Sequence, residues 1–223
     1  IYEMQIRAVF EALVELTKKK VKAHPQIMIP QISSIAELNH IKKIYDSIKK
    51  EMETKHKMKL KINFGTMIEV VRAALTANEL ATTAEFFSFG TNDLTQMTYG
   101  LSRDDAGRFM GEYVNQGVFP EDPFHTLDVR GVGELLTIAA ERSRAERPGL
   151  TLSVCGEHGG DPDSIDFCRK AGFNYVSCSP FRVPVARLAA AHLALTDLPT
   201  EDKPRRFNLL GRVFKGAQPL TNR

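Results

Sequence analysis

The sequence has few cysteines and no long apolar run. Its three cysteines, Cys155, Cys168 and Cys178, are odd in number and lack CxxC spacing, which argues against a disulfide framework and against a zinc site. This cysteine usage favours a reducing compartment, so we expect a cytoplasmic or organellar-matrix protein that is not secreted. No stretch approaches the about 18 apolar residues of a membrane span. Residues 1–8 also lack the basic-then-apolar pattern of a secretory signal.

The sequence also lacks a concentrated charge of one sign. The formal net charge is +3, and the basic residues are dispersed, so binding of nucleic acid has little support. Apolar residues make up 43% of the chain and charged residues 26%, which is typical of a soluble globular domain. The chain begins at Ile1 without an initiator Met, and its first residues resemble the middle of a helix. We therefore expect it to be a fragment.

Short apolar segments and helical periodicity alternate along the chain. Five apolar segments predict buried strands: residues 26–30, 62–68, 85–90, 152–154 and 175–178. Seven segments predict helices: residues 6–20, 34–61, 70–81, 94–99, 132–146, 161–172 and 184–195. Ser34 and Glu37 form a capping-box signature at the start of the second helix. Residues 102–125 lack a clear period and predict a long excursion.

Strands that alternate with helices predict a parallel sheet covered by helices. Ligands bind such folds at the carboxyl ends of the strands. Five strands do not close an eight-stranded barrel, so the sheet is either open or lacks three strands.

Acidic residues follow two of the predicted strands at the point where each strand ends. Glu69 comes directly after the second strand, and Asn92 and Asp93 follow the third. Two carboxylates from adjacent strand ends, with waters completing the shell, suit magnesium or manganese. The spacing leaves an alternative open, in which each acid caps the following helix or pairs with an arginine such as Arg72.

Residues 90–93 predict a tight turn from strand to helix. Gly90 allows the backbone to approach a ligand, and Thr91 and Asn92, with backbone N–H groups, could hold phosphate or carboxylate oxygens. A plain turn with Asx capping accounts for the same residues. Both interpretations stay open from the sequence alone.

Cys155 lies between the fourth strand and the glycine-rich loop of residues 156–161. A thiol in that position could exchange a proton with carbon or attack an electrophile, although a lone cysteine is more often inert packing. Cys168 in mid-helix and Cys178 in a strand are predicted to lie in the core. Arg103, after the acidic turn, could clamp an anion, and an exposed salt bridge is the more ordinary alternative.

Three motifs occur in order on the expected elements: GTMIE at residues 65–69, FFSFGTNDLTQ at residues 86–96 and CGEHGGD at residues 155–161. Over residues 4–195 the sequence resembles the C-terminal barrel of the phosphoenolpyruvate-utilising enzymes. This family includes the pyruvate, phosphate dikinases, the phosphoenolpyruvate synthases and enzyme I of the bacterial sugar phosphotransferase system. Residues 100–107, the EHGGDP loop and residues 175–184 resemble the dikinase branch.

The resemblance implies the site and its chemistry. Glu69 and Asp93 would bind Mg²⁺ and contact pyruvate or phosphoenolpyruvate, Cys155 would donate a proton to C3 in the pyruvate-forming direction, and Arg103 would be a further anion contact. The other implied substrate contacts are Gly90, Thr91 and Asn92. The implied reaction is ATP + phosphate + pyruvate ⇌ AMP + diphosphate + phosphoenolpyruvate. The alternatives are another branch of the family, or a non-catalytic barrel retained for dimerisation.

The resemblance also implies a (β/α)8 TIM-type barrel, of which residues 1–197 would supply strands four to eight. Residues 198–223 would be a polar tail of unknown role. The implied partners are a phosphohistidine domain of the same parent chain and a second copy that forms a homodimer. Two departures from the family pattern are Val70-Val71 in place of Ile-Pro, and the absence of the two phosphate-clamping arginines of the first strands. We expect the isolated chain to be inactive, because strand edges are unpaired and the phosphoryl donor is missing.

Overall fold

The computed structural model describes residues 1–196, which form an α/β fold around one parallel sheet. The five strands pair in the order in which they occur along the chain, and every pair is parallel. The strands are β1 Gln26–Ile29, β2 Asn63–Ile68, β3 Phe86–Gly90, β4 Thr151–Cys155 and β5 Tyr175–Val176. All five predicted strands are therefore present, and the predicted parallel α/β class is confirmed.

At least one helix connects each pair of consecutive strands, as parallel strands require. The α-helices before β3 are α1 Tyr2–Lys18, α2 Ile35–His56, α3 Val71–Leu75 and α4 Ala77–Ala81. Those after β3 are α5 Thr91–Tyr99, α6 Arg103–Ala106, α7 Met110–Asn115, α8 Val132–Glu146, α9 Pro162–Lys170 and α10 Val183–Thr196. None of these helices has both the length and the apolar character needed to cross a membrane.

The two faces of the central strands differ in character because side chains alternate along each strand. One face packs against the helices and supplies the main core, with Phe64 and Ile68 from β2, Phe87 and Phe89 from β3, and Leu152 from β4. The opposite face carries Phe86 and Met67 together with the smaller residues Gly65, Ser88, Gly90, Ser153 and Cys155. At the carboxyl edge of the sheet, this second face ends in the small residues Gly90 and Cys155.

Local sequence signals fix the ends of several helices. The Ser34 side chain accepts the Glu37 N–H, and the Glu37 carboxylate accepts the Ser34 N–H, so the predicted capping box is formed. The Asp161 side chain accepts the Ser164 N–H ahead of α9. Both contacts satisfy N–H groups that have no partner within their helix.

The structure corrects several predictions about secondary structure. The helix predicted over residues 70–81 is broken at Thr76, where φ is −113° and ψ is 28°. Residues 91–93 form the first turn of α5 rather than a separate turn. The excursion predicted over residues 102–125 contains α6 and α7. These segments are short, and tertiary contacts decide their conformation more than periodicity does.

Two predictions near the end of the described chain also need correction. Cys178 was predicted to lie in a core strand, but β5 ends at Val176 and Cys178 is only half-buried. Helix α10 forms as expected, yet Ala186 is its only buried residue and Leu188 is 72% exposed. Most of its apolar side chains are therefore not covered by the described residues. The predicted polar tail lies outside them.

Candidate active site

The registers of the central strands place three predicted site residues in one row. Ile68 pairs with Phe89, and Gly90 pairs with Cys155. Glu69 follows Ile68, so it lies beside Gly90, and β3 separates it from Cys155. Because of the alternation along each strand, all three lie on the face opposite the helices. The row is at the carboxyl edge of the sheet, where parallel α/β folds bind ligands.

Glu69 is a buried carboxylate that does not cap a helix. Only 4% of its surface is exposed, and its Oε1 accepts the Gln31 N–H at 2.7 Å. Helix α3 begins after Val70 without a side-chain cap, and Arg72 donates to the Ser33 carbonyl. Glu69 therefore neither caps the following helix nor pairs with Arg72, which were the two alternatives that the sequence left open.

Asp93 belongs to the first turn of α5 and lies next to Glu69. The two carboxylates are close enough for Asp93 to influence the pKa of Glu69. Burial, the largest cause, raises the pKa of Glu69, and the charge of Asp93 and the hydrogen bond between the two carboxylates raise it further, while the Gln31 N–H opposes these effects. Two neighbouring carboxylates repel each other, so a proton or a cation between them stabilises the pair.

Gly90 is needed where Glu69 approaches the backbone of β3. A Cβ atom at position 90 would lie 2.8 Å from both Cβ and Oε2 of Glu69. It would also lie 2.9 Å from Sδ of Met67. The absence of a side chain at Gly90 therefore allows the Glu69 carboxylate to occupy the edge of the sheet.

Thr91 and Asn92 join α5 to the loop that follows Cys155. The Thr91 hydroxyl lies 3.0 Å from the Cys155 carbonyl oxygen and 2.7 Å from Nδ1 of His158. The Asn92 Oδ1 accepts the Glu157 N–H at 3.3 Å. Both side chains therefore fix the position of the glycine-rich loop, which is a structural role that the sequence analysis did not assign to them.

Cys155 is half-buried and close enough to both acids for their charges to act on it. Its Sγ lies 3.6 Å from the Phe89 carbonyl oxygen. Burial, the largest cause, raises the pKa of the Cys155 thiol; a hydrogen bond with Ser88 lowers it, and the charges of Glu69 and Asp93 raise it. These surroundings favour the protonated thiol. Cys168, by contrast, is fully buried in the core as predicted.

Arg103 lies at the start of α6 and forms an ion pair with Glu157. The closest N–O distance is 3.6 Å, and the side chains are 44% and 41% exposed. A pair this exposed contributes about 0–1 kcal/mol to stability. The salt bridge expected as the ordinary alternative for Arg103 is therefore formed.

The acidic pair fits a magnesium ion that also binds a substrate. Among residues 1–196, no group of three or more His, Cys, Asp or Glu side chains is arranged to hold a metal ion. Structural zinc sites need four protein ligands, whereas Mg²⁺ commonly binds through one or two carboxylates and keeps water or substrate oxygens as its other ligands. Glu69 and Asp93 supply such a pair, and each gains from a cation that neutralises the other.

Gln31, Ser88 and Gln96 contact the predicted site residues, although the sequence analysis assigned no role to them. Ser88 could be found from strand alternation, because it lies two residues before Gly90 on the same face. Gln96 lies three residues after Asp93 and contacts its carboxylate. Gln31 belongs to the segment after β1, and no local pattern predicts its contact with Glu69.

The fold and the site define an α/β domain with an acidic pair and a thiol at one edge of a parallel sheet. Residues 1–195 match the family described as PEP-utilising enzyme, PEP-binding domain. The chain belongs to this family, which confirms the resemblance seen in the three sequence motifs.

The curated relatives include pyruvate, phosphate dikinases. The chain is 53% identical over 193 residues to pyruvate, phosphate dikinase 1, chloroplastic, of Oryza sativa subsp. japonica, covering 86% of this chain and 20% of the relative. It is 50% identical over 198 residues to the pyruvate, phosphate dikinase of Clostridium symbiosum, covering 88% of this chain and 23% of the relative. The chain thus spans about a fifth of the length of the relatives it matches.

One solved structure with a similar fold is a citrate lyase from Burkholderia xenovorans LB400. The TM-score is 0.52 at 15% sequence identity, over 76% of this chain and 49% of the other. At this identity, the likeness concerns the fold alone.

Proposed function

We propose that this chain is the pyruvate- and phosphoenolpyruvate-binding part of a pyruvate, phosphate dikinase. The full reaction is ATP + phosphate + pyruvate ⇌ AMP + diphosphate + phosphoenolpyruvate, and this part carries the pyruvate half-reaction. The observation that supports the proposal most strongly is the row of Glu69, Gly90 and Cys155, with Asp93 beside Glu69. The identity of about 50% to dikinases supports this branch of the family.

The proposed chemistry requires a cation near oxygen and a proton donor near carbon. Pyruvate must lose a methyl proton to form its enolate. A Mg²⁺ ion held by Glu69 and Asp93 would supply positive charge to the enolate oxygen. Cys155 holds its proton because its pKa is raised. In the pyruvate-forming direction, its S–H bond breaks and a C–H bond forms at C3 as the keto group is restored.

The proposed substrate contacts lie around this row. Thr91 and Asn92 are in the first turn of α5, where backbone N–H groups without helical partners attract anionic oxygens. Gly90 has no side chain, which leaves the space that the Glu69 carboxylate occupies beside the backbone. Arg103 is proposed as a further anion contact, which would require it to leave its exposed pair with Glu157.

We further propose that the sheet is one part of a (β/α)8 barrel. The edge strand β1 leaves Met28 38% exposed. A cavity of about 570 Å³ opens between α1 and this strand, with lining residues that include Tyr2, Ile6, Val9, Ile27 and Met28. Additional strands would cover this edge. The proposed partners are a phosphohistidine domain of the same parent chain and a second copy in a homodimer, within a cytoplasmic or organellar-matrix compartment.

The requirement for inorganic phosphate tests the proposed branch of the family. The full-length protein is given ATP and pyruvate, with and without phosphate. Phosphate-dependent formation of diphosphate is expected, together with its loss in Glu69→Gln. Turnover of ATP and pyruvate without diphosphate would indicate the synthase branch, and transfer from phosphoenolpyruvate to a carrier protein would indicate enzyme I. No turnover under any of these conditions would favour a non-catalytic barrel.

A further inference from the structure

Gln96 connects a predicted metal ligand to the backbone of the following helix. Its Nε2 donates to Oδ1 of Asp93 at 2.9 Å, and its Oε1 accepts the backbone N–H of Arg103 at 2.8 Å. Gln96 lies on α5 three residues after Asp93, and Arg103 begins α6. One partly buried amide therefore connects the acidic pair to the segment that follows it.

The orientation of this amide is determined by its two neighbours. A backbone N–H can only donate, so the atom that faces Arg103 must be the oxygen of Gln96. The nitrogen then faces Asp93, which as a carboxylate can only accept. Each neighbour therefore requires the same orientation. Holding Oδ1 in this way limits rotation of the Asp93 carboxylate and determines where its second oxygen lies.

We propose that Gln96 is a positioning residue for the divalent cation site, acting through Asp93. This inference rests on the proposed cation site at Glu69 and Asp93 and adds to it the group that orients one ligand. Partners that orient metal-binding carboxylates contribute to affinity without touching the metal. Removing the amide frees Asp93 to rotate, so the cation binds more weakly although both carboxylates remain.

The first test substitutes Gln96→Met, which keeps the length of the side chain and removes both hydrogen bonds. Binding of Mn²⁺ to the full-length protein without nucleotide is followed from the electron paramagnetic resonance signal of free Mn²⁺. The Kd is expected to rise about 10- to 100-fold. Gln116→Met is the matched control, because Gln116 also donates to a carboxylate, Oε1 of Glu112, in an exposed position at the end of α7. The control is expected to keep the wild-type Kd.

The second test removes only the N–H that orients Gln96, by comparing Arg103→Pro with Arg103→Ala. Position 103 is the first residue of α6, where proline is well tolerated. Ser102 has φ −75° and ψ 131°, a conformation that a following proline favours. Both variants lack the guanidinium group and only the proline variant lacks the N–H. Weaker Mn²⁺ binding in Arg103→Pro than in Arg103→Ala supports the proposal.

The outcomes separate this inference from the proposed function. Loss of the Mn²⁺ site in Glu69→Gln and Asp93→Asn, with an unchanged Kd in Gln96→Met and equal Kd values in the two Arg103 variants, overturns the role of Gln96 alone. A Mn²⁺ titration that is identical in the wild type and in both acid variants overturns the cation site and the role of Gln96 together. If Gln96→Met does not unfold cooperatively on heating, the variant is misfolded and its Kd is not informative. The Mn²⁺ affinities of Arg103→Pro and Arg103→Ala then decide whether Gln96 positions Asp93.

Discussion

At the scale of single residues, the protonation of Cys155 depends on charges that other elements of the fold bring close to it. Burial raises the pKa of its thiol, and Glu69 and Asp93 raise it further. A thiol that donates a proton to carbon must first hold that proton, so this environment matches the proposed role. Because the charges of Glu69 and Asp93 raise the pKa of the thiol, a change in either charge should change the reactivity of Cys155.

We predict that neutralising one acid increases the reactivity of Cys155. Asp93→Asn removes a negative charge, which lowers the pKa of the thiol and increases the thiolate fraction at neutral pH. Alkylation of Cys155 by iodoacetamide should accelerate about three- to tenfold, and Mg²⁺ added to the wild type should act in the same direction. Site-resolved mass spectrometry measures the rate, with half-buried Cys178 as the internal reference. An unchanged or slower rate at Cys155 would contradict this prediction.

The sequence predicted that Glu69 and Cys155 would lie at one edge of the sheet because both residues come at the ends of strands. Glu69 and Cys155 each lie at the carboxyl end of an apolar segment, and parallel pairing brings such ends together. The contact of Gln96 with Asp93 was not predicted, because the helix was expected to begin at residue 94. Once α5 begins at Thr91, the two residues are three apart on one helix face. The contact of Gln31 with Glu69 depends on tertiary structure alone.

At the scale of elements, His158 joins three segments around the site. It is fully buried, with Nε2 2.9 Å from the Pro123 carbonyl oxygen and Nδ1 2.7 Å from the Thr91 hydroxyl. The carbonyl can only accept, so Nε2 carries the proton, and Nδ1 shares the single Thr91 hydroxyl proton with the Cys155 carbonyl oxygen. The ring thus connects the glycine-rich loop, α5 and the excursion between α7 and α8.

We predict that His158→Gln destabilises the protein in a pH-dependent way. Burial is the largest cause that lowers the pKa of His158, and His125 lowers it further, whereas the Pro123 carbonyl, Asp161 and Glu157 raise it. Because the folded-state pKa lies below the ordinary value of about 6.5, the unfolded state binds more protons as pH falls. The contribution of His158 to stability is complete above pH 6.5 and decreases as pH falls towards the folded-state pKa.

Urea unfolding between about pH 5 and 8 measures this effect. At the upper end of this range, His158→Gln should lower the free energy of unfolding by about 1–3 kcal/mol. The difference from the wild type should shrink as pH falls below 6.5. His192→Gln, an exposed substitution on α10, should change neither the stability nor its pH dependence. A difference for His158→Gln that is constant across the range would rule out this account of its pKa.

Elements with strong local signals were predicted more accurately than elements defined by packing. The capping box at Ser34 and the Asp161 cap each satisfy helix N–H groups, and the sequence shows both. The break at Thr76 has no such signal, since alanines continue on both sides of it. Helix α10 has the expected apolar residues, but periodicity cannot tell whether a partner covers them.

At the scale of the whole molecule, the sheet is built in order from β1 to β5 and exposes apolar surface at both ends. Met28 on β1 and Tyr175 on β5 are exposed to 38% and 45%. The chain spans about a fifth of the length of its dikinase relatives. The proposed half-reaction nevertheless places its cation ligands and its proton donor within the described residues, so the exchange of the C3 proton is the step that depends on this chain most directly.

The exchange of pyruvate methyl protons with solvent tests the central claim, which is that Cys155 transfers the proton at C3. The full-length protein is incubated with pyruvate and Mg²⁺ in D₂O, and deuterium at C3 is measured by proton NMR after the spontaneous rate is subtracted. The wild type should incorporate deuterium, whereas Cys155→Ala should bind Mn²⁺ and pyruvate as before and lose enzyme-dependent incorporation. Incorporation at the wild-type rate in Cys155→Ala would contradict the account, because another group would then exchange the proton.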